Sequence, residues 1–127
     1  MIMAYGYLML LVILILPLLM VGFGLLLMKN PPKQINSFYG YRTKRSMKNQ
    51  DTWDFAHLYF GKLWLVCGLV SIPAFLIPIC LVLGKSEQVI SMTSLIVLGL
   101  QVILLFATII ATERALKNNF DKFGRPR

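Results

Sequence analysis

The chain has 127 residues, 57% of them hydrophobic and 14% charged, with a formal net charge of +8. Its length allows one domain, and its apolar share excludes an ordinary soluble fold. One histidine and two cysteines are too few for a structural zinc site. No glycine-rich phosphate-binding motif is present, and no metal, cofactor or direct nucleic-acid partner is expected.

The apolar residues come in blocks. Met3–Met28, Leu63–Leu83 and Val89–Thr112 contain no charged residue. At about 1.5 Å per residue, each block reaches the roughly 30 Å of a bilayer core. Backbone groups in lipid must be satisfied within their own segment, so helix is the expected state of all three. The expected fold class is an all-α integral membrane protein forming one domain over residues 1–127. It comprises three transmembrane helices, an interfacial or cytoplasmic helical loop and a short amphipathic C-terminal helix.

The first block lacks the basic start and small-residue cleavage site of a signal peptide, because no Lys or Arg precedes Lys29. Tyr5 and Tyr7 suit an outer membrane interface, and Pro17 removes one backbone donor near mid-span. Asn30-Pro31-Pro32 ends the helix. Gly22 and Gly24 are positions where another helix can approach.

Residues 29–62 are polar and carry seven basic residues against Asp51 and Asp54, a net +5. Asp51 is expected as the N-cap of a helix running into the second span, with Asp54 favouring its positive end. Trp53, Phe60 and Trp64 recur at helical spacing. That stripe implies either a surface-lying helix bent near Gly61 or packing on protein.

Pro73 and Pro78 interrupt the second span. Cys67 and Cys80 lie on this one helix, about 20 Å apart, too far for a disulfide. The connector, residues 84–88, carries Lys85 and Glu87 and no net charge. It forces spans two and three into an antiparallel hairpin. Gln101 lies near the centre of span three, and a buried amide there should face another helix. The tail from Glu113 is +3, with Leu116, Phe120 and Phe123 spaced as an amphipathic helix on the inner surface. Basic loops stay inside, so the loop and tail are expected in the cytoplasm, with the N-terminus and connector outside. Gln101 and the first-span glycines favour homo-oligomers.

No charge lies inside any span, which counts against a proton-coupled transporter. A catalytic alternative rests on Asp51, Asp54 and His57, the last two being three apart on one helical face. A nucleophile would have to come from Ser37, Thr43 or Ser46. A loop this polar offers such sets by chance, so no catalytic residue is assigned. Lys44, Arg45 and Lys48 are expected to face anionic lipid, each attraction being about 1 kcal/mol. Arg42 is expected to be held by Asp51, Asp54 or loop carbonyls through its planar fork.

The succession Asn36, Gly40-Tyr41-Arg42-Thr43, Ser46, Asn49, Trp53, Ala56-His57 and Gly61 resembles the signature of the SdpI/YfhL family. These small bacterial membrane proteins are named for immunity to the sporulation-delaying peptide toxin. The resemblance covers roughly residues 15–115 and is to a short form without the founding type's additional N-terminal membrane half. It implies a non-enzymatic protein of the bacterial cell membrane that protects against a membrane-active antimicrobial peptide. In the founding system it also implies capture of a cytoplasmic transcriptional repressor. The signature positions carried over as binding or structural residues are Asn36, Gly40, Arg42, Ser46, Asn49, Trp53 and His57.

Overall fold

The computed structural model describes residues 2–127, and three helices account for most of them: α1 (Ile2–Lys29), α2 (Gln50–Val82) and α3 (Glu87–Asn119). Each contains a stretch long and apolar enough to cross a membrane. Side chains such as Leu11, Ile15, Val70, Leu81, Leu95 and Ile103 are exposed around the bundle. Such an apolar belt is stable when its solvent is hydrocarbon. The protein is a multi-pass, all-α membrane protein.

α1 and α2 approach most closely where side chains are missing. A Cβ on Gly24 would lie 2.6 Å from the backbone nitrogen of Leu65 and 2.8 Å from the carbonyl oxygen of Gly61. Gly61 therefore does not mark a bend; it lets α1 close onto a helix that is continuous from Gln50 to Val82. The aromatic stripe packs on protein, with Trp53 and Ala56 fully buried.

α3 joins through polar contacts. Pro17 has no N–H for the carbonyl of Ile13, four residues earlier. Gln101 Nε2 donates to that carbonyl at 2.8 Å across the bundle. The buried amide and the opened backbone thus satisfy one donor and one acceptor together, while Gln101 Oε1 and Ser94 Oγ have no partner among the described residues. Trp64 Nε1 donates to Thr108 Oγ1 at 3.0 Å, and Tyr5 bonds Ser91. Gln101 and Gly24, two of the features expected to favour self-association, thus have partners within one chain. Ile13, Ile79 and Val97 form an apolar core at mid-bundle.

At 33 residues each, α2 and α3 are about 50 Å long, well beyond a bilayer core. Their polar ends continue together past the membrane-length segments, and residues 30–49 wrap against them. A second core forms here from Tyr41, Ala56, Phe60, Leu116 and Phe120. The amphipathic stretch expected after Thr112 is therefore no separate helix at a membrane surface. Through Asn119 it is the end of α3, with Leu116 turned onto protein. Phe120 pairs with Pro126 in a short bridge, returning the tail to the start of α2.

Candidate recognition site at the polar end of the bundle

The start of α2 differs from expectation in its cap. Asn49, in extended backbone, accepts from the Thr52 N–H, and Thr52 Oγ1 accepts from the Asn49 N–H, a reciprocal capping box. Asp51 instead sits inside the first turn, where its charge suits the positive helix end. An amide also has donors, which explains the choice: Asn49 Nδ2 donates to the Gly124 carbonyl at 2.7 Å, fastening the tail to the cap.

Capped this way, α2 turns Trp53 and His57 inward and leaves Asp51 and Asp54 exposed. His57 is fully buried and makes two backbone bonds. Its Nδ1 lies 2.7 Å from the Trp53 carbonyl and its Nε2 accepts the Tyr41 N–H at 2.9 Å. The carbonyl requires a proton on Nδ1 and the N–H requires a lone pair on Nε2, so one neutral tautomer satisfies both. Burial pushes the His57 pKa below the ordinary 6.5 and outweighs the opposing bond to Trp53 and charge of Asp54. Asp54 does not orient the ring; its carboxylate accepts from Gln50 Nε2.

Gly40 makes the bond to Tyr41 possible. Its φ of 110° is a conformation that side-chain-bearing residues avoid. A Cβ there would also lie 2.4 Å from His57 Nε2. Trp53, its ring tilted against that of His57 with centroids 4.2 Å apart, donates through Nε1 to the Pro32 carbonyl at 2.7 Å. Ser46 Oγ donates to the Tyr41 carbonyl at 2.9 Å and accepts from the Thr43 N–H at 2.8 Å. Gly40, Ser46, Trp53 and His57 thus converge on one task, fixing the path of residues 40–46.

Asn36 lies apart, accepting the N–H groups of Phe38 and Tyr39 in a local turn. The fork expected from Arg42 to Asp51 or Asp54 is absent; both carboxylates are exposed, and Asp54 accepts from Gln50 Nε2. The other expected acceptor, a loop carbonyl, is the one Arg42 uses: it donates to the carbonyl of Ser37. The link from the Gly40 turn to α2 exists, but His57 makes it. Lys44, Arg45 and Lys48 are exposed.

Sequence reading missed Glu113. Its Oε2 accepts from the Tyr41 hydroxyl at 2.6 Å and from Thr43 Oγ1 at 2.9 Å, pinning the loop to α3. Burial and that carboxylate push the Tyr41 phenol far above its usual range. Glu113 is separated from Tyr41 by 72 residues, and its only local signal is being the first charge after the third apolar block.

Above this scaffold lies a groove of about 390 Å³ between α1 and α3, with α2 behind it. Tyr41, Phe60 and Leu27 form its buried floor, and Phe23, Leu26, Ile109, Tyr39 and Arg42 its exposed rim. A fixed loop holding one cation over an apolar groove is suited to recognising an amphiphile. Both His57 nitrogens are bound to backbone, which leaves the ring no free lone pair.

A model of the SdpI/YfhL protein family matches residues 33–112, from just before the loop turn to the end of the third apolar block. The chain belongs to the SdpI/YfhL family. The matched region contains every signature residue from Asn36 to His57, together with the hairpin of α2 and α3. The uncharacterized protein YfhL of Bacillus subtilis (strain 168) is 50% identical over 52 residues, 41% of this chain and 47% of that protein. The match spans about half the length of that curated relative. No solved structure matches the chain.

Proposed function

We propose that this family member is a non-enzymatic immunity or binding protein of the bacterial cell membrane, protecting it against a membrane-active antimicrobial peptide. The observation that carries this reading is the loop: its signature residues hold an exposed rim in place, with His57 neutral and bonded on both sides. That is the organisation of a recognition surface, which needs a fixed shape more than a reactive group. In this reading the N-terminus and connector lie outside and residues 29–62 and the tail lie in the cytoplasm, following the basic residues. Expression in a sensitive bacterium should raise survival severalfold against at least one of a panel of membrane-active peptides. Gly40→Ala should abolish the gain. Unchanged survival across the panel would count against immunity.

A second reading draws on the exposed Lys44, Arg45 and Lys48, a basic face to which an acidic cytoplasmic partner such as a repressor could be recruited. Repressor pull-down unaffected by neutralising all three would remove it.

A further inference from the structure

The groove behind Arg42 has a position, a size and a charge, and the three together select an occupant. Its position comes from the lining. On α1 it is lined by Phe23, Leu26 and Leu27, just before Lys29; on α2 by Phe60 and Trp64, flanking Lys62; on α3 by Ile109, one turn before Glu113. On every helix this is the point where charged residues give way to an uncharged run. In a bilayer that level is where headgroup phosphates meet acyl chains.

At about 390 Å³, the groove has room for a single hydrocarbon chain lying along Phe23, Leu26 and Ile109.

Charge selects the headgroup. Arg42 is the sole charged residue lining the groove. Among the described residues its guanidinium makes one bond, to the Ser37 carbonyl, and no ion pair. Most of the five donors of its planar fork therefore remain for a bidentate acceptor such as a phosphate. The nearest carboxylate on α3, Glu113, points its Oε2 at the Tyr41 and Thr43 hydroxyls.

We propose that this groove holds one acyl chain of an anionic phospholipid, whose phosphate is bound by Arg42. The site differs from diffuse attraction to the exposed lysines in having a defined stoichiometry of one lipid per chain. It goes beyond the immunity reading and does not depend on it. An amphipathic peptide or a second copy of the chain would have to displace this lipid to use the groove.

The full chain, purified and delipidated in mild detergent, is titrated with phosphatidylglycerol or phosphatidylcholine and read by native mass spectrometry. Wild type should retain one phosphatidylglycerol, with a preference over phosphatidylcholine of about fivefold. Arg42→Gln should lower retention to the phosphatidylcholine level. Lys44→Gln, a neighbouring charge outside the groove, should leave it unchanged. Ile109→Trp, which fills the groove from its exposed rim without altering charge, should abolish retention of both lipids. Helical circular dichroism checks the fold of each variant. Equal retention of both lipids, equal loss in Lys44→Gln and Arg42→Gln, or full retention in Ile109→Trp would overturn the proposal. So would a lipid-free dimer as the main species.

Discussion

His57 shows how one residue can carry a loop. Its two bonds fix the tautomer, and its burial fixes the charge state, so protonation would place a new N–H donor against the Tyr41 N–H. The folded pKa lies below the ordinary 6.5, so below that pH the unfolded chain binds more protons than the folded one. Stability from this residue is complete above about pH 6.5 and falls as the pH drops toward the lowered folded value. The protection factors of the residues 40–46 amides, exchange rates corrected for the intrinsic pH dependence, should therefore fall on acidification, and His57→Gln should flatten that dependence. An unchanged pH profile in the variant would refute the assignment. Gly40→Ala should cost about 2–4 kcal/mol at any pH, through backbone strain together with the clash on the ring. The sequence marks Gly40, Trp53 and His57 as a set, because their spacing matches a family signature. It does not reveal that Asn49 rather than Asp51 caps α2, since both are good caps. What decides is the Gly124 carbonyl, 75 residues away. Glu113 is illegible for the same reason: its value lies in two hydroxyls that only the fold brings near.

At the scale of elements, the spans were legible because lipid permits few alternatives. The ends of the helices were not. Composition changes near residues 62 and 112, but α2 begins at Gln50 and α3 runs on to Asn119, because they pack on each other and on residues 30–49. Amphipathic spacing looks the same whether its apolar face meets lipid or protein, so Leu116 and Phe120 read as interfacial and prove to be core. Gln101 could be placed against another helix from its position alone, whereas its acceptor depends on Pro17. The two residues form a testable pair. Gln101→Leu leaves the Ile13 carbonyl unpartnered and should cost about 1 kcal/mol, typical of hydrogen bonds between membrane helices. In a Pro17→Ala background the helix supplies its own N–H, and the same change should cost close to nothing. A double-mutant cycle under reversible unfolding in detergent measures the coupling; equal losses in both backgrounds would mean that Pro17 and Gln101 act independently.

For the whole molecule, the decisive feature is that both basic regions fold into one body. Residues 29–62 and the tail carry +5 and +3, and the Asn49–Gly124 and Tyr41–Glu113 bonds hold them together. Both lie at the same end of the bundle, so their charges favour the same orientation. The opposite end presents only Lys85 and Glu87, which cancel. The positive-inside bias is strongest for basic residues close to the span ends, and Lys29, Lys62 and Arg114 are all in that position. The body is therefore expected in the cytoplasm and the α2–α3 connector outside. Gln88 and Asn118 are both exposed at opposite ends of α3, so cysteines placed there report the orientation without disturbing the core. In a chain lacking Cys67 and Cys80, an impermeant maleimide applied to intact cells should label Gln88→Cys at once. Asn118→Cys should react only after permeabilisation. The reverse pattern would place the basic body outside and remove the inner-leaflet phosphate from the reach of Arg42, whereas equal labelling of both sites would indicate a mixed topology that the charge difference is large enough to prevent.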